Sequence, residues 1–310
     1  MAYVRRYGPR FGVEPICAVL AEAGCPIAPS TYYAYAARGF GPTDAELDEA
    51  YAANTLFDLW KRERGLYGQL KLWHAARREG CSRGRDQVAR LMKVAGIEGV
   101  SRAKHSTVTT NRDDAAPRYP DRVNRQWRAP TGSDQLWVAD FSYVWTLAGF
   151  CYVSFVTDVW SRRILGWRVS PSKATPLCCP RWNRPCSPGG APVSDSPPTG
   201  WCITAMQARK ASLAFTQALA DAGIAGSIGT VGDALDNALM ESTIGLFKTE
   251  VIDRENPSWT GWRQVEQAVA SWVHWYNHQR LHSSTNYLPP VEYEQNYHEP
   301  TSRRGDPVAA

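Results

Sequence analysis

The sequence predicts an α+β or α/β protein in which an N-terminal helical region with helix-turn-helix spacing precedes a domain that contains strands. Apolar residues recur at helical spacing over the first hundred residues, whereas from about residue 136 they occur in short strand-like runs. With 310 residues, of which 44% are hydrophobic and 21% charged, the chain is long enough for two domains. This composition excludes a chain that is disordered throughout.

Charge and hydropathy bound the possible partners. The sequence has no run of about 18 apolar residues, and its N-terminus lacks the apolar core of a signal peptide. We therefore expect a cytoplasmic protein without membrane association, whose eight cysteines are reduced. Residues 60–104 carry twelve Lys and Arg residues against four acids, a net charge of +8, whereas the whole chain carries +5. Such a concentrated basic segment indicates a polyanionic partner.

The first helices carry clear start signals. Residues 14–38 predict two helices separated by a turn at Cys25-Pro26, which is helix-turn-helix spacing. Thr43 and Glu46 form a capping box, and the helix that it opens is expected to end near Arg64. On that helix, the residues predicted to face inward are Leu47, Ala50, Ala53, Phe57 and Trp60.

Two further helices are predicted over residues 69–79 and 83–94, with Gly80 ending the first. In the second, Val88, Leu91 and Met92 are predicted inward. The outward positions, which are candidate DNA contacts, are Arg83, Arg85, Arg90 and Lys93. A basic helix after a short Gly-containing turn is what a reader of the DNA major groove needs. A helical bundle with a solvated basic face is the alternative, and the local charge excess favours DNA contact.

The hydrophobic period changes after a polar, Pro-containing linker at residues 105–128. Three short runs joined by tight turns predict an antiparallel meander, over residues 136–145, 150–156 and 163–169. In the first run, Leu136, Val138, Asp140 and Ser142 share one face. A carboxylate midway along an apolar strand is costly unless it is neutralised or binds a cation, so Asp140 is a candidate metal ligand. Asp158, by contrast, fits a turn.

A second candidate acid lies at the start of a predicted helix. Asp236-Asn237 occupies the N-cap position, and an apolar helical period follows it. Glu241 and Lys248 are seven residues apart, so they project from the same face of this helix. A plain amphipathic helix with a solvated acid and base is the alternative. Two-metal phosphoryl-transfer sites need several carboxylates, and Asp140 with Glu241 would supply two of them.

Further elements are predicted before and after this helix. Helical periods are predicted over residues 213–223 and 261–278, with a short strand over residues 224–230. In the long helix the residues predicted to face inward are Val265, Ala268, Val269, Trp272 and Tyr276.

Together these motifs resemble an insertion-sequence transposase of the DDE type, the OrfB-like subunit of the IS-three group, which is related to retroviral integrases. The residues that carry the resemblance are Trp137-Val138-Ala139-Asp140, Val231-Gly232-Asp233, Asn237-Ala238-Leu239-Met240-Glu241-Ser242, Trp275-Tyr276-Asn277, Arg280-Leu281-His282 and Pro289-Pro290. By this resemblance residues 1–104 are the DNA-binding region, 129–297 the integrase-like catalytic core and 298–310 a polar tail.

The resemblance implies an RNase H-like fold with a mixed sheet, Mg²⁺ or Mn²⁺ as cofactor, strand cleavage by water and strand transfer by a DNA 3′-hydroxyl. Asp140 would be the first catalytic acid and Glu241 the third, both as metal ligands, and Lys248 would contact a DNA phosphate. The implied partners are DNA, an OrfA-like subunit or fusion that supplies a further DNA-binding region, and further copies of the chain on DNA.

The second acid of the family is missing. It should lie in a motif of the form His-Ser-Asp-x-Gly-x-Gln-Tyr about 35 residues before Glu241, near Ala205, and no such motif occurs there. Residues 177–210 instead hold four of the eight cysteines and six of the 21 prolines. Proline at this density predicts neither the helix nor the central strand that the fold requires. Asp195 is the only acid in the segment, but it lies 46 residues before Glu241.

Three interpretations of this segment are open. A zinc site is one, although Cys178, Cys179, Cys186 and Cys202 lack paired CxxC spacing. A family-specific loop is another. The third is a pair of compensating frameshifts, since codons read one nucleotide out of register can yield a string ending in His-His-Ser-Asp-Ala-Gly-Ser-Gln. The hypothetical Asp codon would straddle those of Ala205 and Met206.

With one metal-binding carboxylate lost, the chain is expected to be inactive as written. Two alternatives to a transposase follow from the same motifs. One is a non-catalytic DNA-binding protein, a transposase remnant, and the other is an RNase H-like nuclease that cuts DNA without joining it.

Overall fold

The computed structural model describes residues 1–101, 130–172, 202–205, 225–227, 238–254 and 258–298. The N-terminal part forms α1 (Ala2–Phe11), α2 (Val13–Glu22), α3 (Pro29–Ala37), α4 (Asp44–Arg62), α5 (Gln69–Arg78) and α6 (Arg85–Val94). The strands are β1 (Leu136–Thr146), β2 (Gly149–Asp158), β3 (Ile164–Ser170), β4 (Cys202–Ala205) and β5 (Ala225–Ser227). The remaining helices are α7 (Ala238–Phe247), which continues into a π-helical turn (Lys248–Ile252), α8 (Trp262–His278) and α9 (Pro290–His298). None of the described helices is long and apolar enough to cross a membrane.

The predicted N-terminal helices are confirmed, with two corrections. The capping box is present, because the Glu46 amide donates to Thr43 Oγ1 at 3.2 Å and the Thr43 amide to Glu46 Oε2 at 2.6 Å. The inward face predicted for α4 is wrong at Leu47, Ala50 and Phe57, which are exposed. Apolar residues occur on more than one side of α4, so their spacing alone does not select the buried side. The residues that are buried are Ala53, Leu56 and Leu59. Helix α1 was not predicted.

The sheet has the order β3-β2-β1-β4-β5. Strands β1, β2 and β3 are antiparallel, as predicted, whereas β4 is parallel to β1 and β5 is parallel to β4. The expectation that residues 177–210 contain no central strand is therefore wrong over Cys202–Ala205. This stretch follows Pro198, the last proline of residues 177–210, and contains β-branched Ile203 and Thr204, which favour a strand.

Several predicted features lie outside the described residues. These are the linker at residues 105–128, most of residues 177–210, the helix over residues 213–223, the N-cap at Asp236-Asn237 and most of the polar tail.

One apolar core joins the sheet to helices from both parts of the chain. Phe155 of β2, Phe247 of α7 and Trp272 of α8 pack together, with ring centroids 5.3–5.7 Å apart. The same core contains Leu56 of α4 and Leu91 of α6. Helices α1 to α3 instead pack around a small cluster of their own, formed by Val4, Ile16 and Tyr32. The predicted DNA-binding region therefore consists of two packing units, of which only α4–α6 shares the core of the sheet.

The end of α8 is tied to its neighbours by buried polar groups. The Asn277 side chain donates to the Ile164 carbonyl and accepts from the Ile164 amide, both at 2.9 Å, which joins α8 to β3. The Leu281 amide donates to the Tyr67 hydroxyl at 2.8 Å, which joins the segment after α8 to the turn between α4 and α5. Arg280 Nη2 lies 2.6 Å from Glu250 Oε1, and both side chains are buried. The Trp-Tyr-Asn and Arg-Leu-His motifs therefore hold the fold together.

Removing the buried Arg280 cation is expected to destabilise the protein strongly. Arg280→Leu leaves the Glu250 carboxylate buried without its ion-pair partner, so we expect the free energy of unfolding to fall by about 3–5 kcal/mol in urea denaturation. Arg78→Leu is the matched control, since Arg78 pairs with Glu292 at 2.6 Å in a partly exposed position. It should cost less than about 1 kcal/mol. Equal losses in the two variants would contradict a structural role for the buried pair.

Candidate active site

Asp140 lies where the pairing between β1 and β4 stops. On one side of β1, Asp140 is opposite Phe155 of β2. On the other side, β4 runs parallel to β1, and its last described pair joins Ala205 to Ala139, the residue before Asp140. Sites in sheets with parallel strands form beyond the carboxyl ends of those strands. The backbone thus places Asp140 at such an end.

The environment of Asp140 shows which charges converge on it. Burial raises the pKa of Asp140 to about 6, and a hydrogen bond of 2.8 Å from the Phe141 amide to Oδ1 acts in the opposite direction. The negative charge of Glu241 raises this pKa further, whereas the positive charge of Lys248 lowers it. The structure therefore brings Asp140, Glu241 and Lys248 together, although about a hundred residues separate the first from the other two.

The packing of α7 on β1 produces this convergence. Met240, Thr243, Ile244 and Phe247 form the buried face of α7. Glu241 lies in the first turn of α7 and is exposed, while Lys248 follows the last residue of the helix and is half-buried. Both side chains therefore lie at the margin of the buried face, where a ligand can reach them.

Tyr143 is a site residue that the sequence analysis missed. The Lys248 Nζ lies 5.5 Å from the centroid of the Tyr143 ring, within the range of a cation–π contact. Along β1, Tyr143 points to the face opposite to that of Asp140. Lys248 can approach both residues because the described part of β4 pairs with β1 only as far as Ala139. The alternation of apolar and polar residues along β1 does not predict such a contact.

The acids and cysteines of the described residues do not form a larger cluster. Among these residues, no group of three or more His, Cys, Asp or Glu side chains is placed to hold a metal ion. Asp158 is buried at the end of β2, where its carboxylate accepts hydrogen bonds from the Ser161 amide and hydroxyl and the Asp134 amide, at 2.7–2.9 Å. The turn predicted at Asp158 is thus present. Of the four cysteines considered for zinc, only Cys202 belongs to a described element, β4.

The basic residues predicted to contact DNA lie on and before α6. Arg85, Arg90 and Lys93 are exposed, as predicted. Arg83 is less exposed because its guanidinium lies 2.5 Å from the Asp48 carboxylate of α4. Arg90 likewise pairs with Glu49 of α4. Two of the four cations thus hold α6 against α4.

Comparisons with known proteins show the family to which the chain belongs. The family profile described as an integrase core domain matches residues 222–290, and one described as an HTH-like domain matches residues 46–105. One relative is a Mycobacterium tuberculosis (strain ATCC 25177 / H37Ra) protein named as a transposase for insertion sequence element IS986/IS6110. The two sequences are 40% identical over 278 residues, and the alignment covers 88% of this chain and 96% of that protein. The chain belongs to the insertion-sequence transposases of the DDE type. It is also 39% identical over 298 residues to the transposase for insertion sequence element IS629 of Shigella sonnei, with 93% of both chains covered.

A solved structure with a weaker likeness to this transposase is the HTLV-2 integrase catalytic core domain in complex with magnesium. The TM-score is 0.35 and the sequence identity is 10%, over 53% of this chain and 98% of that chain. The family membership therefore rests on the sequence relatives. Their match confirms the resemblance to insertion-sequence transposases, and the HTH-like profile confirms a helix-turn-helix-like N-terminal region.

The convergence of the three charged groups predicts opposite effects of two substitutions. Lys248→Met should raise the pKa of Asp140 above about 6, because a positive charge that favours the carboxylate is lost. Glu241→Gln should lower the same pKa, because a repelling negative charge is removed. Both effects can be measured in metal-free buffer by titrating the ¹³C-carboxyl resonance of Asp140, assigned with Asp140→Asn. A titration that neither substitution moves would show that the groups do not converge.

Proposed function

We propose that this transposase chain binds DNA but does not carry out strand transfer as written. The observation that carries the proposal is that two carboxylates, Asp140 and Glu241, converge, while the position expected for the second catalytic acid is Ala205. Ala205 ends the described part of β4 beside the residue that precedes Asp140. Alanine provides no metal ligand.

Asp140 and Glu241 fit one divalent cation better than two. Carboxylate oxygens are the ligands that Mg²⁺ and Mn²⁺ prefer, and the partial burial of Asp140 makes a bound cation favourable there. A bound ion of this kind would supply activation of water or of a 3′-hydroxyl and stabilisation of the leaving oxygen, and a pair of ions would need more carboxylate ligands than these two. Asp140 and Glu241 would hold the ion, and Lys248 would bind a phosphate beside it.

Frameshifts in the gene explain the missing acid better than a zinc site or a family-specific loop. Relatives near 40% identity align with most of the chain, but the integrase-core match begins only at residue 222, after the Cys- and Pro-rich segment. A segment that departs from the family inside an otherwise matching chain is what two compensating frameshifts would produce. The hypothetical Asp codon, between those of Ala205 and Met206, falls at the end of β4 next to β1. Sequencing the gene across codons 170–215 tests this proposal. It is wrong if no adjacent frame encodes His-Ser-Asp.

For DNA binding we propose the exposed cations of α6, Arg85 and Lys93, as the first contacts. Arg83 and Arg90 would contribute only by exchanging Asp48 and Glu49 for DNA phosphates. An OrfA-like partner or fusion and further copies of the chain would complete the assembly on DNA, in the cytoplasm at the nucleoid.

The purified chain is expected to bind DNA and to fail in strand transfer. With Mn²⁺ and a DNA substrate, its strand transfer should not exceed that of the Asp140→Ala control, because a metal-binding carboxylate is already missing. Its DNA binding should weaken steeply as salt is raised, since phosphate contacts release counterions. Strand transfer clearly above the control would show that the site is complete by another route. Cutting without joining would favour an RNase H-like nuclease, and the absence of salt-sensitive binding would refute the DNA-binding part.

A further inference from the structure

The hairpin of β1 and β2 carries exposed aromatic residues on one face. Tyr143, Trp145 and Phe150 are 40%, 62% and 50% exposed, whereas Val144 and Cys151, which alternate with them, are buried. Antiparallel sheets usually present polar residues on a face turned to water. A contiguous aromatic surface in that position indicates a binding site.

The three rings hold one another in place. Phe150 packs edge-to-face against Tyr143, with centroids 5.5 Å apart and an interplanar angle of 88°. It packs in the same way against Trp145, at 4.7 Å and 74°. Trp145 and Phe150 are also directly opposite each other in the strand pairing. These contacts restrict the rings before any ligand binds, which reduces the entropy lost on binding.

The aromatic face lies on the side of β1 opposite to that of Asp140, and Lys248 links the two. Tyr143 lies three residues after Asp140 on β1, and its ring lies under the Lys248 ammonium. At the other end, the Leu147 amide donates to the Trp259 carbonyl at 2.8 Å, so the hairpin tip is anchored. The surface is therefore held in place at both ends, with Lys248 between it and the candidate site.

A cation contacts one end of this face, and a second cation follows the segment that approaches the hairpin tip. Lys248 lies at the end near Asp140, and beyond the tip Gly261 approaches Ala148, followed by exposed Arg263. Residues 141–157, which include the whole hairpin tip, contain no acid. Aromatic faces between cations suit a ligand with flat rings and a negatively charged backbone.

We propose that Tyr143, Trp145 and Phe150 form a stacking platform for unpaired DNA bases beside the Asp140 site. The inference rests on the proposed DNA-binding function and assigns to it a preference for DNA with unpaired bases. Aromatic side chains stack on any base, so the platform would be tolerant of sequence. Lys248 and Arg263 would take the flanking phosphates. An apolar protein partner is the competing occupant, and the flanking cations and the lack of acids favour DNA.

The test compares two DNAs that differ only in unpaired bases. The full-length chain is titrated with a blunt duplex and with the same duplex carrying a short single-stranded 3′ tail, in one salt buffer. Trp145→Ala should weaken binding of the tailed DNA about tenfold and leave the blunt duplex unchanged. Trp145→Phe, which keeps a π-face, should retain most of the affinity. Leu147→Ala is the matched control, because Leu147 is 73% exposed at the same tip and has no ring.

Each outcome decides the inference. Loss of affinity for both DNAs in equal measure, or for neither, would overturn the platform while leaving the DNA-binding proposal intact. A loss in Leu147→Ala as large as in Trp145→Ala would indicate a general apolar contact, and reduced self-association of Trp145→Ala in sedimentation would indicate a second copy of the chain as occupant. If the wild-type chain binds neither DNA, both the proposed function and the platform are wrong.

Discussion

The packing of α7 across β1 is the constraint on which the site depends. Phe247 of α7 fits against Phe155 of β2 and Trp272 of α8, and these large rings fix the position of the helix relative to the sheet. Glu241 and Lys248 lie at the margin of that buried face, so their charges reach Asp140. The geometry of the candidate site is thus a consequence of hydrophobic packing, in which the charged groups themselves supply little of the stabilising energy.

The motifs that mark the family divide between chemistry and scaffold. Asp140 and Glu241 belong to the site, whereas Asn277 and Arg280 join α8 to β3 and to the π-helical turn. The same turn begins with Lys248 and contains Glu250, the buried partner of Arg280. Scaffold and site are therefore linked, because the residue that contacts Tyr143 lies two positions from the buried ion pair.

How far the sequence predicts this arrangement depends on the range of each interaction. The alternation around Asp140 and the spacing of Glu241 and Lys248 are local patterns, and the structure confirms the strand and helix that carry them. The buried side of α4 depends on what packs against the helix, so its own sequence could not select it. The contact between Lys248 and Tyr143 depends on where β4 stops pairing with β1, which no local pattern records. Strand β4 was not predicted because the prolines of residues 177–210 indicate the absence of a strand, and its four residues are too few to show a strand pattern of their own.

A count of bound metal ions tests the central claim, an active site left with two of its carboxylates, most directly. Mn²⁺ binding to the purified chain can be followed by electron paramagnetic resonance of the unbound ion. We expect about one Mn²⁺ per chain at the site, lost in both Asp140→Asn and Glu241→Gln, because a second ion would lack a further carboxylate ligand. Two Mn²⁺ ions per chain that depend on Asp140 would contradict the account, since they would require a further acid in the site.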